Sequence, residues 1–121
     1  MFGRRSVVAL ASCALLLGCG PTEPLRVGFI GGLSDRNSDV GQAGNNGVVL
    51  AVEQINRAGG IRGRQVELIS RDDAQNPATA EKSARELAAA KVDAVIGPFT
   101  SGVAAAVVDW LLLGRRRWIS V

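Results

Sequence analysis

From Leu25 onward the chain alternates short apolar runs with longer segments of helical period, and glycine, proline or asparagine marks nearly every change. Strands and helices that alternate across short loops can share one core in few ways. The favoured solution is a parallel sheet with right-handed crossovers and helices on both faces. The expected class is therefore α/β with a doubly wound parallel sheet. Leu25-Arg26-Val27-Gly28-Phe29-Ile30-Gly31 reads as a buried strand running into a loop. A first helix follows over Gln42 to Ala58, with Asp39 and Gln42 spaced as a capping box and Gly59-Gly60 closing it. Gly44 and Gly47 inside that helix cost roughly 1 kcal/mol each against alanine, so they point to close packing against the sheet or to a flexible helix start.

A second strand is expected over Arg64 to Ser70, with Val66 and Leu68 on one face and Asp72-Asp73 in the loop beyond it. Asn76-Pro77 opens a second helix that runs to about Ala90, because Asn caps orphan N–H groups and Pro at the first helical position loses no hydrogen bond. Val92 to Ile96 is a third strand. Gly97 to Gly102 turns it into a third helix, roughly Val103 to Leu113, which Gly114 closes. Arg115-Arg116-Arg117 then reads as a solvated turn, and Trp118 to Val121 as a fourth strand.

In such sheets ligands bind at the carboxyl ends of strands, near a switch in strand order. Three loops qualify: Gly32 to Asp39, Asp72 to Asn76, and Pro98 to Gly102. In the last of these, the N–H groups and the hydroxyls of Thr100 and Ser101 could hold a carboxylate in the field of a helix N-terminus. Capping of their own helix by Thr100 or Ser101 is an equal reading. Asp72-Asp73 is read as a polar loop that hydrogen-bonds local backbone, not as a site for a hard cation. Gly28, Gly31 and Gly32 do not form GxGxxG, so dinucleotide binding has little support. Trp110 with Leu111-Leu112-Leu113 reads as core.

The first twenty residues have a separate logic. Arg4 and Arg5 precede an apolar stretch from Val7 to Leu17, too short to span a bilayer core of about 30 Å, and small residues follow. That is the layout of a secretory signal peptide. Its end, Leu16-Leu17-Gly18-Cys19, resembles the lipobox of bacterial lipoproteins, so residues 1–18 are expected to be a leader and Cys19 the lipid-bearing first residue. Residues 19–24, with Pro21 and Pro24, form an extended tether. Removing Arg4 and Arg5 from fourteen basic residues leaves twelve against eleven acidic ones, a balance that argues against nucleic acid as a partner. Both cysteines, Cys13 and Cys19, lie outside the expected domain, so no disulfide is predicted. The chain has no histidine, which excludes Ser-His and Cys-His catalysis. No enzyme activity, cofactor or metal is expected.

The string from Asn46 to Arg64, NGVVLAVEQINRAGGIRGR, resembles the first helix and turn of the leucine/isoleucine/valine-binding receptor family. Asp72-Asp73, Asn76-Pro77, Val92 to Pro98 and Thr100-Ser101-Gly102 continue the match in order and spacing. The resemblance covers residues 25 to about 121. It implies a type I periplasmic-binding-protein fold with a flavodoxin-like first lobe, of which three to four strands and three helices are present. It implies capture of amino acids, branched-chain or related, for an ABC permease in the membrane, by a monomer held outside the cytoplasm by its lipid. A ligand-sensing receptor domain uses the same fold. By motif match Ser101 falls where the family binds the ligand's α-carboxylate, with Phe99 and Thr100 on the same loop. Val40 stands where the family often has an aromatic side chain, and related receptors take amides, urea or other small solutes. Family members continue into a second lobe, so residues 25–121 are expected to form a truncated first lobe with half a cleft, binding amino acids weakly or not at all.

Overall fold

The computed structural model describes residues 22–34, 36, 38–113 and 117–119. The leader, Cys19, Gly114, Arg115 and Arg116 lie outside these described residues. In chain order the elements are β1 (Leu25–Gly31), α1 (Asp39–Arg57), β2 (Val66–Asp72), α2 (Pro77–Ala89), β3 (Ala94–Ile96), α3 (Ser101–Leu113) and β4 (Arg117–Ile119). The four strands form one parallel sheet in the order β2-β1-β3-β4.

This order fixes which face each helix covers. The crossover from β1 to β2 runs one way along the sheet, and those from β2 to β3 and from β3 to β4 run the other way. If all three are right-handed, α1 must lie on one face and α2 and α3 on the other. The contacts follow that rule: α1 packs on β1 and β2, α2 packs on the same strands from the other side, and α2 and α3 pack together. The buried core lies on the two-helix face, where Ile30 and Val95 of the sheet meet Ala80, Ala84 and Leu87 of α2 and Val103 and Val107 of α3. Each fully buried Leu, Ile or Val there contributes about 2 kcal/mol of transfer free energy. On the opposite face α1 leaves an apolar groove of 360 Å³ along Val27, Ile96, Val48 and Val52.

Several boundaries differ from the sequence expectation. Helix α1 starts at Asp39 rather than Gln42, and the N-cap position is Ser38. Asp39 is therefore no capping-box residue; it sits in the first turn, where a negative charge suits the helix dipole. The Ser38 side chain does not cap, because its Oγ receives Gln42 Nε2 at 2.8 Å. At the other end, Gly59 N–H donates to Asn56 O and Gly60 N–H to Ile55 O, the paired bonds of a Schellman closure. Strand β2 starts at Val66 because Arg64 is held in a tight turn with Ile61 by backbone bonds of 2.8 and 3.0 Å. Val66 N–H and C=O are taken by the Asn56 side chain, at 2.7 and 2.9 Å.

Strand β3 is shorter than the Val92 to Ile96 run. Val92 is buried in the core, but Asp93 accepts the Arg26 N–H on its carboxylate at 2.9 Å, so the regular ladder begins only at Ala94. Helix α3 begins two residues early, at Ser101. Arg117 is the first residue of β4, paired with Ala94, and not part of the solvated turn. Of the two glycines inside α1, Gly44 is needed for close approach: a Cβ there would lie 2.7 Å from Phe99 Cζ. It packs against the β3–α3 loop and not against the sheet. Gly47 has open space where its Cβ would be, so close packing does not account for it. Trp110 is 40% exposed rather than core. Its Nε1 donates to Glu81 on α2 at 3.1 Å, and the Arg85 guanidinium lies 4.5 Å from the ring centroid.

Candidate functional site

Parallel strands deliver all their carboxyl ends to one side, and here β1 leads away to one neighbour and β3 to the other. The switch in strand order thus lies between β1 and β3, where the loops that leave them must part and a crevice forms. A cavity of 240 Å³ opens there, near the lower bound of about 300 Å³ for small-molecule sites. It is lined by Gly32 after β1, Val40 and Gly41 from the start of α1, Asp73 and Gln75 after β2, and Phe99 and Thr100 after β3. All three loops singled out from the sequence contribute to it.

Phe99 and Thr100 therefore lie on the cavity wall. Ser101, the third expected ligand residue, is exposed as the first residue of α3 and does not line it. The Phe99 ring is held from two sides, by Phe29 with ring centroids 5.6 Å apart and by the backbone of α1 at Gly44. Gly97, before a cis peptide bond to Pro98, lets the loop leave β3: its φ is +96°, and a Cβ there would lie 2.0 Å from Ile30 O. No side chain fits that position.

Asp72 joins the first loop to the second. Its carboxylate accepts Leu33 N–H at 2.8 Å, the Ser34 hydroxyl, and Ala74 N–H at 2.9 Å. Burial alone would raise its pKa, but the donors Ser34, Leu33 and Ala74 together outweigh burial and hold the carboxyl below the usual carboxylate range. Gln42 secures the same loop from α1, donating to Leu33 O at 3.0 Å. Asp73 is only 2% exposed and accepts Gln75 N–H at 2.8 Å. Among the described residues no group of three His, Cys, Asp or Glu side chains could hold a metal. The local hydrogen bonding expected of the acidic pair is present, and each carboxylate serves the turn between β2 and α2.

Asp73 and Gln75 are polar lining residues whose loop was singled out from the sequence but which were not named there as ligand-binding. Ala74 and Gln75 have φ of 47° and 50°, and this left-handed pair turns Gln75 toward the cavity. Nothing in their residue types announces that conformation. The position of Asp73, one residue past a strand's carboxyl end, was the available signal.

The family model described as "Periplasmic binding protein" matches residues 24–117. The Leu/Ile/Val-binding protein BraC3 of Rhizobium johnstonii is 37% identical over 87 residues, 72% of this chain and 24% of that protein. The Leu/Ile/Val-binding protein homolog 7 of Brucella suis is 29% identical over 103 residues, 84% of this chain and 26% of its own length. Among solved structures, the branched-chain amino acid transporter substrate binding protein LivJ from Streptococcus pneumoniae, in complex with isoleucine, superposes with a TM-score of 0.77. It is 37% identical, over 80% of this chain and 28% of that one. The chain thus spans about a quarter of the length of the relatives it matches.

Proposed function

Because the chain belongs to the periplasmic binding protein family, we propose that it forms one wall of a capture site for a small amino acid, branched-chain or related, taken up by an ABC importer. The observation that carries this reading is the convergence of three strand-end loops on one cavity that combines an apolar ring, a hydroxyl and a helix N-terminus. Each part suits a different part of the ligand. The N-terminus of α3, with the hydroxyl of Thr100 just before it, favours the negative carboxylate. Phe99 and Val40 offer apolar surface to an aliphatic side chain. The solved relative bound to isoleucine names the ligand class to try first. Residues 1–18 act as the leader, Cys19 carries lipid and residues 19–24 are the tether, so capture takes place outside the cytoplasm.

Small-molecule sites bury roughly 70–90% of their ligand, and one wall alone buries less. Affinity on the order of Kd 1 mM, about 4 kcal/mol, is therefore expected of residues 25–121 taken by themselves with isoleucine. Titration of the isotope-labelled full chain, purified from membranes in detergent, should move the amide signals of Gly32, Gln75 and Thr100 together and to saturation. Unmoved signals at these positions, or shifts confined to other parts of the lobe, would overturn the assignment.

A further inference from the structure

The described chain begins at the end of the lobe opposite the cavity. Arg64 donates from Nε to Glu23 O at 2.8 Å and from Nη2 to Pro24 O at 3.4 Å, so the tether is fixed to the domain before β1 starts. From Pro24 back to Cys19 the chain can reach at most about 18 Å when fully extended. β1 itself, seven residues long, separates that end from the cavity by about 20 Å. A bilayer holding a lipid on Cys19 lies within reach of the amino ends of the strands and away from the cavity.

The charges are divided along the same axis. Around the fixed tether, Arg26, Arg64 and Lys91 share a polar cavity of 120 Å³ with Glu23 and Asp93. Asp93 is engaged by the Arg26 backbone, and Glu67 is paired with the Arg26 side chain at 3.2 Å. At the same end, the turn from Ile61 to Arg64 carries exposed Arg62 beside Ile61, which is 44% exposed. Neither Arg62 nor Lys91 has an ion-pair partner among the described residues. At the opposite end Asp39, Asp72 and Asp73 surround the loops, and Arg36 is the one basic residue among the described loop residues.

We propose that the lipid-anchored lobe rests on an anionic bilayer surface with this basic end down, Ile61 and Arg62 at the headgroups, and the ligand cavity facing away from the membrane. The inference rests on the lipid anchor proposed above. Within a Debye length of an anionic surface each Lys or Arg favours contact by a factor of about five. The small excess of cations at one end, Arg26, Arg62, Arg64 and Lys91 against Glu23, Glu67 and Asp93, and the excess of carboxylates at the other therefore orient a lobe whose net charge is small.

The test uses the full chain produced in a lipidating bacterium, its lipid identified by mass spectrometry, and reconstituted in vesicles containing phosphatidylglycerol with nitroxide-labelled headgroups. A fluorophore attached through Gln65→Cys, at the basic end, should be quenched strongly, and one attached through Val40→Cys, at the cavity, weakly. Arg62→Glu with Lys91→Glu should lower quenching at position 65 by about fivefold or more. Raising the salt concentration should do the same in the unaltered charge background, without any change in the fold. Lipid on the protein with equal quenching at the two positions, or quenching insensitive to both salt and charge reversal, would overturn the orientation and leave the anchor standing. Absence of lipid would overturn the anchor and the orientation together, while amino-acid binding in the cavity would be unaffected.

Discussion

Asp72 shows how one side chain can shape a cavity wall without lining the cavity. It ties Leu33 and Ser34 to the turn after β2, and so sets the distance between two of the three loops. Its folded pKa lies below the ordinary value despite partial burial, because the donors from Ser34, Leu33 and Ala74 favour the charged form. The linkage follows in sign: the unfolded state binds the proton more tightly, so the stabilisation is full above the unfolded carboxylate pKa of about 4 and fades as pH falls through the lower folded value. Asp72→Asn removes the charge and should cost on the order of 1 kcal/mol at neutral pH, because bonds to a charged acceptor become bonds to a neutral one. The variant should also lose less stability than the parent between pH 5 and pH 3, measured by urea unfolding at each pH. An equal loss in both would show that other carboxylates carry the acid sensitivity. The sequence disclosed the type of this interaction, an Asp bonding to backbone N–H groups after a strand. It did not disclose that the partner loop lies 39 positions earlier, because that contact depends on β1 and β2 being neighbours.

At the scale of elements, strands and helices were legible wherever local chemistry decides them. Asn76 is the clearest case: its Oδ1 accepts Ala78 N–H at 2.9 Å and Thr79 N–H at 3.1 Å, and Pro77 occupies the first helical position. Asn76→Ala should therefore cost about 1 kcal/mol, and Asn76→Asp, which keeps the acceptor, much less. Thermal unfolding of the two variants distinguishes the cap from a merely tolerant surface position. If Ala is as stable as Asp, the cap contributes nothing. The boundaries that sequence reasoning misplaced are those decided by specific backbone contacts, near or far in sequence, that the apolar pattern does not announce. β2 starts late because Ile61 and Arg64 close a turn, and β3 starts late because Asp93 bonds to Arg26 on another strand. The candidate site divides in the same way. Phe99 and Thr100 follow a strand and precede a helix, which is visible in the sequence; Gln75 enters through a left-handed turn, which is not.

For the whole molecule, the strand order β2-β1-β3-β4 determines both where a ligand can sit and which backbone is hardest to open. In a parallel sheet successive N–H groups point to alternate neighbours. β1 has a partner on each side, β2 along its full length and β3 at Val27 to Phe29, so its successive amides are all bonded there. β2 has β1 on one side only among the described strands, which leaves every second amide facing outward. Phe29 and Ile30 on β1 are also fully buried, so exchange there requires opening the core rather than fraying an edge. Native-state hydrogen exchange should accordingly give a continuous block of slow amides around Val27 to Phe29 and an alternating pattern along Glu67 to Asp72, beyond Val66, whose N–H is held by Asn56. The slow block should exceed the outward amides of β2 by at least tenfold, the ratio for about 1.4 kcal/mol of extra opening free energy. An alternating pattern in β1 as well would mean that the β1–β3 pairing opens independently, and with it the crevice between their carboxyl ends. The rigidity of the cavity wall and the protection of the central strand thus have the same origin, because Gly32 and Phe99 are set in place by the two strands whose pairing that experiment measures.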